Sequence, residues 1–268
     1  MSLAEPVRAF CYAACALEDA RRTPWGVVAS DRRYPLVWDA NDACIFEPSP
    51  TLTLAQIQDL LHPALRQAGA PYEHLEFWET SIESPALREM RATGERPDPD
   101  VVMVYAGEEP ADLPLEVRQI SEPDATFWEW YRPTLLQFGE HLSDEVLDQM
   151  VARIRDVFVP AGLRWFVGCV EGEPAGYTSV ISLEGTGYLD NVVTMPAFRR
   201  RGVASATVMR AVRECMRHGD RCVFLLAEDG GAPQRLYESL GFRVATKVES
   251  FTRLLPAGPP LGRTTSDL

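Results

Sequence analysis

The sequence is poor in the features that mark several functional classes. Its six cysteines, Cys11, Cys15, Cys44, Cys169, Cys215 and Cys222, form no Cys-x-x-Cys pair, and its four histidines, His62, His74, His141 and His218, are scattered. Structural metal sites draw on clustered ligands of these kinds, so reduced thiols and no metal are expected. No run approaches the roughly 18 apolar residues of a membrane span, and no basic segment leads into an apolar one at the N-terminus. A cytoplasmic chain without membrane contact is the expectation. Positive charge is in deficit, with 26 Lys and Arg against 39 Asp and Glu, for a net charge of −13. Binding nucleic acid by counterion release requires a basic face, so nucleic acid is disfavoured and amines or other cations fit better.

What is present suits a folded chain. The 268 residues are 46% hydrophobic and 24% charged, enough for two modest cores. The polar stretch 107–114, with Pro110 and Pro114, suits neither a helix nor a central strand. It divides an N-terminal α/β domain, 1–110, from a second domain, 111–255. Residues 256–268, opening Pro-Ala-Gly-Pro-Pro, read as a disordered tail.

In the N-terminal half, Thr53 and Gln56 form a capping box for a helix with Leu54, Ile57, Leu61 and Leu65 on one face, ended by Gly69. Strand-like runs lie at 26–29, 72–78 and 101–105. The C-terminal half predicts a strand over 115–120, a Trp-rich helix from Ala125 to about Pro133, and a helix capped by Ser143 or Asp144. Strands over 164–170, 175–183 and 187–194 follow, then a helix over 203–218 closed by Gly219. A buried strand over 221–227, a short helix to Leu240 and a strand pair between Arg243 and Leu254 complete the order.

The strand ending at Thr194 passes through a short loop, Arg199-Arg200-Arg201-Gly202, into the helix that begins Val203-Ala204-Ser205. First-turn N–H groups have no partner inside a helix, and the helix dipole favours an anion there. Gly202 and Ala204 keep the backbone bare, and three arginines concentrate positive charge in an acidic protein. The recipe suits a pyrophosphate. A solvated turn with a tight helix entry is the plainer alternative for the loop alone.

The loop's Arg199, Gly202 and Ala204, together with Leu236, Tyr237, Gly241 and Phe242 on the later short helix, resemble the two motifs of the GNAT superfamily of N-acetyltransferases, over roughly 115–255. The resemblance implies an α/β fold of the GNAT type, a mixed and mostly antiparallel sheet flanked by helices, preceded by a smaller α/β domain. The run Pro71 to Trp78 followed by 85–90 is similar to the end of such a domain but has no phosphate loop, so the N-terminal half reads as a degenerate copy. By the same resemblance acetyl-CoA is the co-substrate: the backbone of Val192, Val193 and Thr194 pairs with its pantetheine arm, and the backbone of Arg199, Arg200, Arg201, Gly202, Val203, Ala204 and Ser205 binds its pyrophosphate. Tyr237 is implied as proton donor to the leaving thiolate, against the alternative of a core tyrosine. Asp190 stands where many relatives have a glutamate and is a candidate base, with Glu228 and Asp229 as rivals. Many members carry an asparagine seven residues before the tyrosine, where this chain has Gly230. The implied activity is direct acyl transfer to a primary amine of a small molecule or peptide, by a monomer or homodimer. A non-catalytic acyl-CoA sensor or a partner-binding module is the alternative.

Overall fold

The computed structural model describes residues 3–94, 97–108, 110, 113–137 and 142–255. Residues 109, 111 and 112 of the expected boundary and the expected tail from 256 lie outside them. The N-terminal half holds α1 (Glu5–Cys15), β1 (Ala20–Thr23), β2 (Gly26–Ala29), β3 (Ala43–Ile45), α2 (Leu54–Ala68), β4 (Tyr72–Phe77), α3 (Pro85–Ala92) and β5 (Asp98–Tyr105). The C-terminal half holds β6 (Glu116–Ile120), α4 (Ala125–Thr134), α5 (Asp144–Arg153), β7 (Arg164–Val170), β8 (Glu173–Leu183), β9 (Thr186–Thr194), α6 (Val203–His218), β10 (Cys222–Glu228), α7 (Ala232–Ser239) and β11 (Phe242–Leu254).

Local chemistry sets several of these ends. Thr53 Oγ1 accepts from the Gln56 amide while Gln56 Oε1 accepts from the Thr53 amide, so α2 opens on a complete capping box; Gly69, at φ 77°, closes it. Ser143 caps α5 through the Val146 amide, and α5 runs on into a π-helical turn, Ile154–Phe158. Four elements escape the sequence pattern: α1, β1, β3 and α3. The expected strand pair after Arg243 is instead the single long strand β11, because no turn-forming residue interrupts it and a bulge between Val244 and Thr246 absorbs the irregularity.

The described strands form one sheet in the order β1-β2-β3-β4-β11-β5-β10-β9-β8-β7-β6. Only the β3–β4 and β9–β10 pairs are parallel; the rest are antiparallel. The two parallel pairs reveal an internal repeat. The path β3-α2-β4-α3-β5 recurs as β9-α6-β10-α7-β11, and in each copy a strand of the other fills the slot before the last strand. β11 lies between β4 and β5, and β5 lies between β10 and β11. The N-terminal half thus repeats the strand and helix path of the C-terminal half.

Strand register separates the two faces. Leu75, Phe77 and Phe251 pack with Ile57, Leu61 and Leu65 of α2 and Leu87 of α3. Met103, Leu189 and Leu225, on the same face, pack with Val208 and Val212 of α6 and Tyr237 of α7. The opposite face, with Val102, Val167 and Phe224, is covered by α1, α4 and α5 through Phe10, Phe127, Tyr131 and Leu147. Both faces are therefore buried beneath helices, and the site lies where the sheet opens between them.

Candidate active site

The opening begins in β9. Asp190 pairs with Ser179 and Val193 with Tyr177, leaving Asn191 and Val192 opposite Thr178 alone. This is a bulge, and Asn191 takes the left-handed φ of 47° it requires. On the other edge, parallel pairing with β10 ends at Leu189 and Leu225, although β9 continues to Thr194 and β10 to Glu228. The two central strands therefore part company at Asp190, leaving the β10-facing edge of 190–194 without a strand partner.

Past the end of β9 the chain turns through a short 3-10 segment, Pro196–Phe198, and Arg200 at φ 64° into Gly202 at φ 77°. Gly202 is the N-cap of α6 and supplies no side chain to cap it, so the first-turn amides of Val203, Ala204 and Ser205 are not claimed by a cap. A Cβ at Gly202 would meet nothing within 4 Å, so the approach to these amides is open. Arg199 donates to Gln137 Oε1 at 3.1 Å, Arg201 lies over the Phe198 ring, and Arg200 and Arg201 form no ion pair with a described residue. Positive charge, bare backbone and a helix N-terminus thus converge. The equivalent helix of the first repeat, α2, spends its terminal donors on its own capping box.

Tyr237 is buried on α7 against Phe242, its ring 6.0 Å away, and its hydroxyl makes no hydrogen bond with a described residue. Burial pushes it up to about 12, so it holds its proton at neutral pH. Gly230, in the position of the absent asparagine, is in a left-handed turn; its amide donates to Gln234 Oε1 at 2.7 Å. The side chain of Gln234 thus occupies a donor of the β10–α7 loop. Asp229 is paired with Lys247, and Glu228 is exposed at the end of β10.

Asp190 faces the other side of the opening, where it lines a cavity of about 310 Å³ beneath α1 and α5. Tyr237, Glu228 and Asp229 are not among the residues lining it. Burial raises Asp190 to about 6, despite the backbone N–H of Asn191 and the hydroxyl of Tyr188 at 3.4 Å; the Asn191 side-chain amide also donates to it. The structure therefore separates the two residues that sequence reasoning paired for proton transfer: Asp190 is in the cavity, and Tyr237 is packed with α6 on the opposite face.

Sequence reasoning missed the rest of this cavity, which the N-terminal half supplies. Asp39, Asp42, Cys44, Glu76 and Trp78 line it, as does Arg153 of α5. Glu76 accepts from Trp78 Nε1 at 2.8 Å and Cys44 Sγ at 3.4 Å, and lies 3.4 Å from His74 Nε2. Burial works to raise Glu76, but the hydrogen bond and charge of His74 hold it below its usual value. His74 is correspondingly raised to about 9, against the opposing effect of burial. Arg153 makes a bidentate pair with Glu18 at 2.7 and 2.8 Å and donates to the Asp39 carbonyl. Asp42, Cys44 and Glu76 bring one ligand atom each within 4.8 Å of one another, a grouping able to hold a metal ion. The signal for this wall lies in β4, whose period-two pattern sets His74, Glu76 and Trp78 on one face against Leu75 and Phe77 on the other. No described helix is long and apolar enough to cross a membrane.

With this geometry established, comparison with known proteins gives a consistent answer. Residues 124–242 match the Acetyltransferase (GNAT) family. A GCN5-related N-acetyltransferase from Kribbella flavida superimposes with a TM-score of 0.63 at 16% identity, covering 97% of this chain and 98% of that one. A functionally unknown conserved protein from Staphylococcus epidermidis superimposes at 0.67 with 13% identity, covering 87% and 92%. A tandem GNAT protein from the clavulanic acid biosynthesis pathway superimposes at 0.51 with 15% identity, covering 76% of this chain and 70% of that one. These likenesses are of fold. No curated protein matches the sequence.

Proposed function

We propose, from the premise that residues 124–242 form an acetyltransferase domain of the GNAT family, that the chain transfers the acyl group of acetyl-CoA directly to a primary amine. One observation carries this reading: β9 and β10 part at Asp190, which lines an acidic cavity, and the unpaired end of β9 beyond it leads through an arginine-rich loop to the uncapped N-terminus of α6. The residues fit the co-substrate. Open space over Gly202, the free amides of Val203, Ala204 and Ser205 and the charges of Arg199, Arg200 and Arg201 would hold a pyrophosphate. The unpaired edge of Val192, Val193 and Thr194 offers backbone partners to an extended amide-bearing arm, and its amides are suited to an oxyanion. Bound there, acetyl-CoA supplies an activated thioester.

The chain's own residues then have two proton tasks. An amine arrives mostly protonated at neutral pH and attacks only when neutral. Asp190 Oδ1 or Oδ2, in the cavity and raised to about 6, is mostly ionised at pH 7 yet basic enough to take that proton, directly or through water. Tyr237 Oη, kept protonated by burial and without a hydrogen-bond partner among the described residues, holds a proton for the departing sulfur. The test is release of free thiol from acetyl-CoA against a broad panel of amines, with calorimetry for CoA. Thiol release with at least one amine is expected; tight CoA binding with no release from any amine would favour a sensor instead. The parent's kcat/KM should rise through an apparent pKa near 6, and Asp190→Asn should remove that limb. A wild-type pH profile in Asp190→Asn would remove the base assignment.

A further inference from the structure

Resting on the transfer reading above, we propose that the acceptor carries a second positive charge, which Asp42 of the N-terminal half binds, so that a compact diamine is the class of acceptor. The cavity has acidic groups on both sides: Asp190 comes from β9, while Asp39, Asp42 and Glu76 come from the first half. Most are already engaged. Glu76 is held by His74, Trp78 and Cys44, Asp39 lies 3.9 Å from Arg153, and Asp190 accepts from Tyr188 and Asn191.

Asp42 is the exception. It is 4% exposed and lines the cavity, yet among the described residues its Oδ1 has no hydrogen-bond partner and its Oδ2 shares the single Cys44 thiol proton, at 3.3 Å, with Glu76. A buried carboxylate oxygen left without a donor is costly, so such a group in a cavity wall marks where a donor belongs. The two cations nearby are already committed, Arg153 to Glu18 and Asp39 and His74 to Glu76, and no described ion pair includes Asp42. Burial, with the charge of Glu76 beside it, pushes the Asp42 carboxyl well above the usual carboxylate range, as befits a group without a counterion, and the partner that would hold its charge is a cation. It is an organic one because the walls are largely apolar and aromatic: Phe46, Trp78, Tyr188 and Phe224 suit methylene groups and the face of an ammonium. A volume of about 310 Å³ suits a small molecule rather than a polypeptide segment.

Asp190 and Asp42 thus divide the work. The first receives the ammonium that is to be acylated, the second anchors the one that is not. The anchoring charge comes from the half of the chain that has lost its own phosphate loop.

Calorimetry on the full chain saturated with CoA tests this without requiring turnover. The probes are straight-chain α,ω-diaminoalkanes of increasing length against n-alkylamines of equal length. A charge-assisted hydrogen bond to a buried carboxylate is worth roughly a tenfold to hundredfold difference, so the best-fitting diamine is expected to bind tighter by about that factor. Asp42→Asn, which keeps the shape, and Asp42→Ala should cut the advantage to within about threefold. Equal binding of diamines and monoamines by the parent would overturn the proposal, as would an advantage that survives in both variants. Should neither variant fold, the comparison in the parent decides. Absence of thiol release with every amine would sink the transferase reading yet leave this binding measurement intact. Turnover of diamines and monoamines alike, with equal affinities, would sink the second-charge site alone.

Discussion

At the scale of single residues, the two proposed proton groups differ in what their environments have done to them. Both are shifted upward by burial, but the consequence is opposite for function: Tyr237 becomes a safer proton holder, whereas Asp190 becomes a stronger base. Tyr237→Phe keeps the ring that packs on Phe242 and removes only the hydroxyl, so acetyl-CoA affinity and melting temperature should stay near those of the parent. Its kcat should fall by about tenfold to a hundredfold, the low side of general-acid effects, because thiolates also leave unassisted. A parent-like kcat would return Tyr237 to the core as packing alone. Asp190 also carries a stability signature. A carboxyl raised from its ordinary value to about 6 binds more protons folded than unfolded between pH 4 and 6, so burial of its charge weakens the fold as pH rises through that window. Asp190→Asn should therefore melt higher than the parent at pH 7 and lose that advantage near pH 4. An unchanged difference in melting temperature across the range would show that Asp190 is not desolvated.

At the scale of elements, α2 and α6 occupy equivalent places in the two repeats and differ at one end. Thr53 and Gln56 close the first turn of α2 internally, whereas Gly202 leaves that of α6 open. Gly202→Glu would put negative charge where the helix attracts an anion, and CoA affinity should fall by at least about a hundredfold. Because Gly202 sits at φ 77°, any side chain is strained there, so Gly202→Asn is the matched control. Both variants should lose similar stability, while the asparagine variant keeps most of its CoA affinity. Equal losses of affinity in the two would assign the effect to backbone strain instead. These ends were legible beforehand for a physical reason: caps, glycine stops and 3.6-residue periodicity are local, and α2 and α6 begin and end where their sequences direct. The candidate cavity was not legible. Asp42, Glu76 and Asp190 are brought together by pairing between distant strands, which leaves no trace in spacing along the chain. β1 and β3 are four and three residues long, too short to show alternation. β11 was misread as two strands because its bulge breaks the period-two pattern at Val244.

At the scale of the whole molecule, the repeat predicts a stoichiometry. With the α2 terminus closed, acetyl-CoA should titrate to one equivalent per chain, and two equivalents would show a second phosphate site that the capping box argues against. The exchange of β5 and β11 has its own effect on how the protein comes into being. Each half is sealed by a strand that the other half owns, so cutting the chain within 107–114 should yield fragments that do not unfold cooperatively apart and recover when mixed; an isolated 113–255 fragment that binds CoA would contradict this. During synthesis the first half emerges with a gap beside β4, and the strand that closes it, Phe242–Leu254, is made after every other described element. All the described elements must leave the ribosome before either half can be finished. A nascent chain stalled or truncated short of Phe242 presents two open strand edges, β4 and β5, to chaperones and to other copies of itself.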